Sequence, residues 1–428
     1  MLYNFYKYFT IIFSPLITLF LYIRILFGKE DKKRIKERFG TPGIKRPEGD
    51  VIWFLCASVG EANAALSLID RLLKLYDNKI TVLLTTTSVT SANMLQKKLA
   101  DKPNVIHQYT PIDTYKSVMN FLDFWQPIAL INIESEIWPN IIALSHKYCR
   151  KVIIATAKMS TRSFRRWRKL NSIRNFIFNQ IDICYPQSDG DEFKLRKLGI
   201  EKTIMLGNLK FDCPVPVVDE EYLAQLKGGI GDRKFICLAS THIEELEMLY
   251  KLYTKVEADF KNILFIFAIR HPNKGDETEK YLKDKGLIVK RRSRNDLITP
   301  DTNIYMYDEI GKMGTFYALS DIVVVCGSFV NHIGGHTPIE VIQHKCATLT
   351  APYIKNNKVL FQELEKYDST IICKDKHNII QNMRAEIKNL INNPARCKEI
   401  IDNSYNTKER FKNIAHDMAK SIKENIEN

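Results

Sequence analysis

Short apolar runs alternate with longer stretches of mixed polarity from residue 50 almost to residue 350. The runs Val51–Cys56, Ile80–Leu84, Ile128–Ile133, Val152–Ala155 and Ile181–Tyr185 are bounded by polar or turn-forming residues. Such runs predict strands buried on both faces. Between them, Ala62–Leu75 and Asp113–Leu122 repeat apolar residues at helical spacing, the second through Tyr115, Val118, Met119 and Leu122. The rhythm breaks at 207–219, where Pro214 and Pro216 mark a linker. It then resumes. Phe235–Ala239, Ile263–Ala268, Ile304–Tyr307, Ile322–Cys326 and Ala347–Leu349 predict strands, and Glu244–Asp259, Thr278–Lys285 and Gly314–Leu319 predict helices. From about Asn378 the pattern is helical and Lys-rich, without another strand. Alternating strand and helix predicts an α/β fold on parallel sheets, with ligands at the carboxyl ends of the strands. A chain of 428 residues exceeds what one core usually supports, so two such domains with a cleft between them are expected.

The first residues follow a different pattern. Tyr8–Ile23 carries no charge, and with Leu2–Tyr6 the apolar stretch approaches the ~20 residues that span a bilayer. Arg24, Lys29, Lys32, Lys33, Arg34, Lys36 and Arg38 follow it. An uncleaved membrane anchor over 1–26 is expected, with the rest of the chain on the cytoplasmic side. A signal peptide fits poorly, because the leading residues are almost uncharged and no small-residue cleavage site follows Ile23. An interfacial helix is the other reading, kept open by Pro15.

Charge and cysteines narrow the setting. Lys+Arg is 63 and Asp+Glu is 49, a net +14 that favours an anionic partner. The nine cysteines are odd in number and form no CxxC pair, which argues against a disulfide framework or a structural zinc and for a reducing compartment. A basic cluster, Arg162, Arg165, Arg166, Arg168, Lys169 and Arg174, surrounds Phe164 and Trp167. It matches no nucleic-acid module, and an anionic lipid surface or a solvated helix face explains it better.

Candidate chemistry collects after the strands. Ala57-Ser58-Val59-Gly60-Glu61 follows the first, without the G-x-G-x-x-G of a dinucleotide site. Glu61 is either a helix-dipole carboxylate or a reactive one. Glu134 and Glu136 follow Ile128–Ile133, and Lys210 lies at the start of the linker. In the second half, His242 and then Arg270-His271 follow the first two strands, Arg270 being a suitable fork for phosphate. Cys326-Gly327 through Gly334-Gly335-His336-Thr337-Pro338-Ile339-Glu340 reads as strand, Gly-rich loop and helix start. Thr337, Pro338 and Glu340 fit Ncap, N1 and N3 of a capping box, and such a start also suits an anion.

Taken in order, Glu37-Arg38-Phe39-Gly40, SVGE, ESEIWPN, GNLKFD, STHIEE, RHP, GKMG and GGHTPIE resemble the bacterial 3-deoxy-D-manno-octulosonic acid (Kdo) transferases of lipopolysaccharide synthesis. The likeness runs over most of the chain and weakens near its end. It implies a GT-B fold with a membrane anchor at 1–26, an acceptor domain at 27–213, a CMP-Kdo domain at 214–400 and a terminal helix at 401–428. It implies an inverting transfer of Kdo from CMP-Kdo to a lipid A precursor, lipid IVA, at the cytoplasmic side of the bacterial inner membrane. By position, Glu61 matches the family's general base, and Glu134 and Lys210 match residues of transition-state stabilisation. Ile269, Arg270, Ile310, Gly311, Lys312, Thr337, Pro338, Ile339 and Glu340 match the CMP-binding segments. No DxD-type metal pair is evident among these segments, so neither metal nor cofactor is expected, and no nucleic acid is expected as partner. The chain departs from the family at Thr337, Lys312 and Lys158, which bears on fine specificity. Two other readings are a different GT-B enzyme using another nucleotide sugar, and a membrane-tethered protein that only binds an anionic ligand.

Overall fold

Because side chains alternate across a strand, a sheet with helices on both faces needs strands apolar at every position. The computed structural model, which describes residues 2–134, 136–212 and 215–428, contains two such sheets. The chain divides into two compact units, Met1–Cys213 with Phe411–Asn428, and Pro214–Arg410.

The first unit holds β1 (Val51–Cys56), β2 (Thr81–Thr86), β3 (Val105–Tyr109), β4 (Ala129–Ile133), β5 (Lys151–Ala157) and β6 (Ile183–Pro186). All pair in parallel, in the order β3-β2-β1-β4-β5-β6. The order reverses between β1 and β4, the switch point where open α/β sheets bind ligands. Every residue of β1 and β4 is buried.

The second unit holds β7 (Phe235–Thr241), β8 (Leu264–Ile269), β9 (Val289–Arg291), β10 (Ile304–Tyr307), β11 (Ile322–Val325), β12 (Ala347–Thr350) and β13 (Ile371–Ile372). Its order is β13-β12-β11-β7-β8-β10-β9, again parallel, with the switch point between β11 and β7. Ile236 and Leu238 join one hydrophobic cluster, and Cys237 and Ala239 the cluster on the opposite face. Eight of the nine cysteines are free and buried, and Cys213 lies outside the described residues.

Two expectations need correction. The amino-terminal run is not one spanning helix. It forms Leu2–Ile12 and Ser14–Leu26, bent by 59°, and among the described residues no single helix is long and apolar enough to cross a membrane. Pro15, in the first turn of the second helix, has no N–H to continue the ladder. At 1.5 Å per residue the two helices reach only about 17 and 20 Å, short of a ~30 Å hydrocarbon core. The first helix instead packs on the body of its unit. Tyr3 stacks on Phe176, Tyr6 Oη donates to Asp113 Oδ2 at 2.8 Å, and Lys7 lies over the Tyr115 ring. Part of the basic flank is internal as well. Glu30 is buried between Arg24 and Arg38, and Arg34 pairs with Glu37.

The chain end is likewise not one helix over 401–428. Pro394–Arg410 belongs to the second unit, and Ile414–Glu427 returns to the first. Asn413, with φ of 71°, breaks the helix between them.

Candidate functional site

In the first unit the switch point gathers the expected residues. Ser58 caps the helix Val59–Leu75 by accepting from the Glu61 N–H at 3.2 Å, which places Glu61 in the first turn after β1. Glu61 is 8% exposed. Its Oε2 accepts from the Ala57 N–H at 2.6 Å, and the Ser58 side chain is a further, weaker hydrogen-bond partner of the carboxyl. Burial, reinforced by Glu134 and Glu136, outweighs these hydrogen bonds and raises its pKa from 4.5 to about 7. The helix-start reading of Glu61 is thus partly realised, since the carboxylate does hold a backbone N–H. That contact does not explain a proton affinity near neutrality.

Glu134 directly follows β4 with φ of 64°, a conformation that costs a residue with a Cβ roughly 1 kcal/mol or more. Its backbone N–H still donates to Ala155 O at 3.0 Å, so the turn is held by β5. Lys210 Nζ pairs with Glu134 Oε1 at 2.6 Å. Glu136, after the same strand, is half-buried, and desolvation raises its pKa.

The position of Lys210 depends on a part of the chain that local sequence patterns do not link to it. Lys210 lies in the short helix Leu209–Asp212. Phe211 stacks on Phe411 at 4.3 Å, and Asp212 Oδ2 accepts from the Ala415 N–H at 2.8 Å. Asn208 Oδ1 accepts from the Lys210 N–H at 3.0 Å. The returning carboxy-terminal helix therefore helps to build the site. A cavity of about 640 Å³ lies beside the Glu61 loop, lined by apolar residues of the first two helices, Phe9, Ile17, Phe20 and Leu21, and by Ala57, Glu136 and Trp138.

In the second unit, β8 ends at Ile269, and the Arg270 N–H donates to Thr241 O at 2.9 Å while its side chain lies at the surface. Ile310 is 87% exposed, and Gly311 has φ of 110°. The Lys312 N–H donates to Tyr307 Oη at 3.0 Å, and Lys312 Nζ pairs with Asp219 Oδ2 at 2.7 Å. The cation foreign to the family pattern thus carries its own counter-charge. The helix after the Gly-rich loop is short, Ile339–Gln343, with Pro338 at its cap position. Thr337 Oγ1 accepts from the Ile339 N–H at 3.4 Å, so the expected capping box centred on Thr337 is replaced by a tighter turn. Proline at 338 has no N–H to offer and shifts the first free donor one residue on.

Sequence reasoning missed Glu245. Fully buried, it accepts from the N–H groups of Gly327 at 2.8 Å, Phe329 at 2.9 Å and His242 at 3.2 Å. It ties the Gly-rich loop after β11 to the turn after β7. The only trace in the sequence is a second carboxylate in Glu244-Glu245, on which a helix-start reading settles first.

Comparison with known proteins gives the following. The family described as 3-deoxy-D-manno-octulosonic-acid transferase (kdotransferase) matches residues 33–213. A 3-deoxy-D-manno-octulosonic acid transferase of Rickettsia bellii is 29% identical, covering 96% of this chain and 96% of the relative. A probable mitochondrial 3-deoxy-D-manno-octulosonic acid transferase of Arabidopsis thaliana is 31% identical over 82% of this chain and 80% of the relative. Among solved structures, a glycosyltransferase of Rickettsia africae superposes with a TM-score of 0.60 at 12% identity, over 89% of this chain and 99% of that one. At that identity the likeness concerns the fold alone, a two-domain α/β arrangement of the GT-B kind.

Proposed function

The chain belongs to the 3-deoxy-D-manno-octulosonic acid (Kdo) transferase family, and from that premise we propose how its residues carry out the transfer. As a glycosyltransferase of lipopolysaccharide biosynthesis it moves Kdo from an activated donor. CMP-Kdo is the donor, and a lipid A precursor, lipid IVA, is the acceptor. An acceptor hydroxyl attacks the anomeric carbon of Kdo. The new C–O bond forms as the bond to the CMP phosphate breaks, and CMP departs with the electron pair. One displacement inverts the anomeric configuration.

A sugar hydroxyl is a weak acid, so a positioned base is required at neutral pH. Glu61 takes that proton on Oε1 while Oε2 stays anchored to the Ala57 N–H. The observation that carries the reading is this carboxylate at the β1/β4 switch point, with a pKa raised to about 7, where a base can both accept and release a proton. Lys210, held by Glu134, supplies positive charge to the anionic transition state. The apolar cavity beside Ala57 supports a lipid-bearing acceptor in this unit.

On the second unit, Ile269–Arg270, Ile310–Lys312 and Thr337–Glu340 bind CMP. Arg270 offers the phosphate a charge-assisted contact, and Glu340 offers the ribose an acceptor. Incubation with lipid IVA and either CMP-Kdo or UDP-sugars, read by mass spectrometry, tests the function. Lipid IVA gaining the mass of Kdo from CMP-Kdo alone is the expected product. Transfer from a UDP-sugar would move the chain to another donor class.

Membrane attachment follows from the bent helix pair, lying in the interface rather than crossing it. Phe5, Ile12, Leu16 and Leu19 are more than half exposed there, although each is strongly apolar. The helix Thr161–Lys169 adds five cations and buries none of its residues fully. Replacing Ile12 and Leu16 together by Glu should reduce binding to phosphatidylglycerol-containing vesicles at least about tenfold in a sedimentation assay. Unchanged sedimentation would place the attachment elsewhere.

A further inference from the structure

The second unit contains a partly polar cavity that meets the proposed nucleotide segments at Ile269 and is otherwise lined by residues outside them. It measures about 140 Å³ and is lined by Thr241, His242, Glu244, His271, Asn273 and Lys274, among others. These residues follow β7 and β8, and β7 borders the switch point of the sheet. The backbone there is shaped for a purpose other than pairing. Ser240 has φ of 60°, and the β7/β8 register shifts between Ala239 and Thr241. Such irregularities re-aim side chains beside active sites. Thr241 is 2% exposed, and its Oγ1 has no hydrogen-bond partner among the described residues. A buried hydroxyl left without a partner costs about 1–3 kcal/mol, which a ligand would recover.

The cavity wall is held from across the switch point. His242 Nε2 and His336 Nε2 are 2.7 Å apart, so one ring nitrogen donates and the other accepts. His336 follows the loop after β11 and packs on Gly327, where a Cβ would come within 2.6 Å of the imidazole. His271 meets the His242 ring edge-on at 5.3 Å. Burial and neighbouring cationic groups lower the pKa of both His242 and His336, so both rings are neutral near pH 7. The Glu244 carboxylate lies 4.0 Å from His242 Nδ1, and Lys274 pairs with Glu277. Imidazoles, a hydroxyl, an amide, a carboxylate and an ammonium together make a mixed set of donors and acceptors. A phosphate alone, which only accepts, has no use for the carboxylate. A polyhydroxylated sugar acid has use for all of them.

We propose that this cavity binds the carboxylate-bearing end of the transferred sugar, with Thr241, His242 and His271 as its contacts and His336 as the residue that positions His242. The assignment rests on the reading of CMP-Kdo as donor. It makes the cavity the place where the enzyme distinguishes its sugar from others on the same nucleotide.

Thr241→Val, His242→Asn and His271→Asn separate sugar from nucleotide. His271 is exposed, so its variant folds even where the buried Thr241 variant does not. Three quantities are measured on each preparation: thermal midpoint, inhibition by CMP, and KM for CMP-Kdo in the transfer assay. KM for CMP-Kdo should rise about tenfold or more, the size of one lost hydrogen bond, while inhibition by CMP changes less than about twofold. His336→Asn should raise KM in the same direction without altering CMP inhibition. CMP inhibition weakening in step with KM would make this a phosphate site and overturn the proposal, as would an unchanged KM in His271→Asn and His242→Asn. Wild-type protein that binds CMP yet transfers nothing from CMP-Kdo would remove the donor reading itself, and the assignment with it.

Discussion

Replacing Glu61 by Gln should lower the turnover number at least ~100-fold, the usual size of general-base assistance. The substitution keeps the shape and leaves an amide oxygen for the Ala57 N–H. CMP affinity should stay as in the wild type, since the proposed nucleotide contacts lie on the other unit. Stability moves in a direction that separates the two roles Glu61 could have. A carboxyl whose folded-state pKa is raised from 4.5 to about 7 is most favourable to folding while protonated. Its contribution falls as pH rises through that window and is lowest above it. At pH 8 the glutamine variant should therefore be as stable as the wild type or more so. If Glu61 only complemented the helix dipole, the variant would lose a little stability, on the order of 0.3–1 kcal/mol, and keep its turnover. Transfer rate and thermal midpoint from one preparation decide between these outcomes.

The second large effect is on folding. Glu245→Ala removes the acceptor of three N–H groups inside a fully buried turn. A buried donor left without a partner costs about 1–3 kcal/mol, so the second unit should lose on the order of 3 kcal/mol or more. For a unit of this size that corresponds to a fall in melting midpoint of roughly 6–12 °C. CMP binding should weaken too, because Gly327 and Phe329 belong to the loop that leads to Thr337–Glu340. Glu245→Gln retains one acceptor oxygen and should be milder on both measures. A melting curve and CMP titration of Glu245→Ala that both match the wild type would mean that the loop holds its shape without this clamp.

What the sequence reveals and what it hides have physical causes. Glu61 and Glu134 are legible because one opens the helix after β1 and the other directly follows β4, both largely apolar strands that are neighbours in the sheet. The sheet order that makes their meeting point the switch point is a matter of topology, and no local pattern carries it. β3 escaped notice because Val-Ile-His-Gln-Tyr is an edge strand rich in polar groups. Its His107 is satisfied by Thr86 Oγ1 at 2.9 Å and by the Arg34 side chain, partners distant in sequence. β9 and β13 are three and two residues long, too short for any period to register. The amino-terminal run resembled one spanning helix because hydropathy counts side chains and ignores the backbone break at Pro15. Lys210 was visible as a lone cation, but the residues that place it, Phe411 and Asp212, are about two hundred positions apart and meet only when the last helix returns. Lys312 is visible in the sequence only as a cation where the family pattern departs. Its partner Asp219, far upstream, cancels that charge.

The pH dependence of kcat/KM for the acceptor, measured for wild type and Glu61→Gln between about pH 5 and pH 9, probes the base most directly. In the wild type kcat/KM should rise about tenfold per pH unit on the acid side and level off above about pH 7, where Glu61 is ionised. In Glu61→Gln that acid limb should disappear, and the residual rate should stay flat and low through the same range. An acid limb that persists unchanged in Glu61→Gln, or near-normal turnover of that variant, would contradict the assignment of Glu61 as the base.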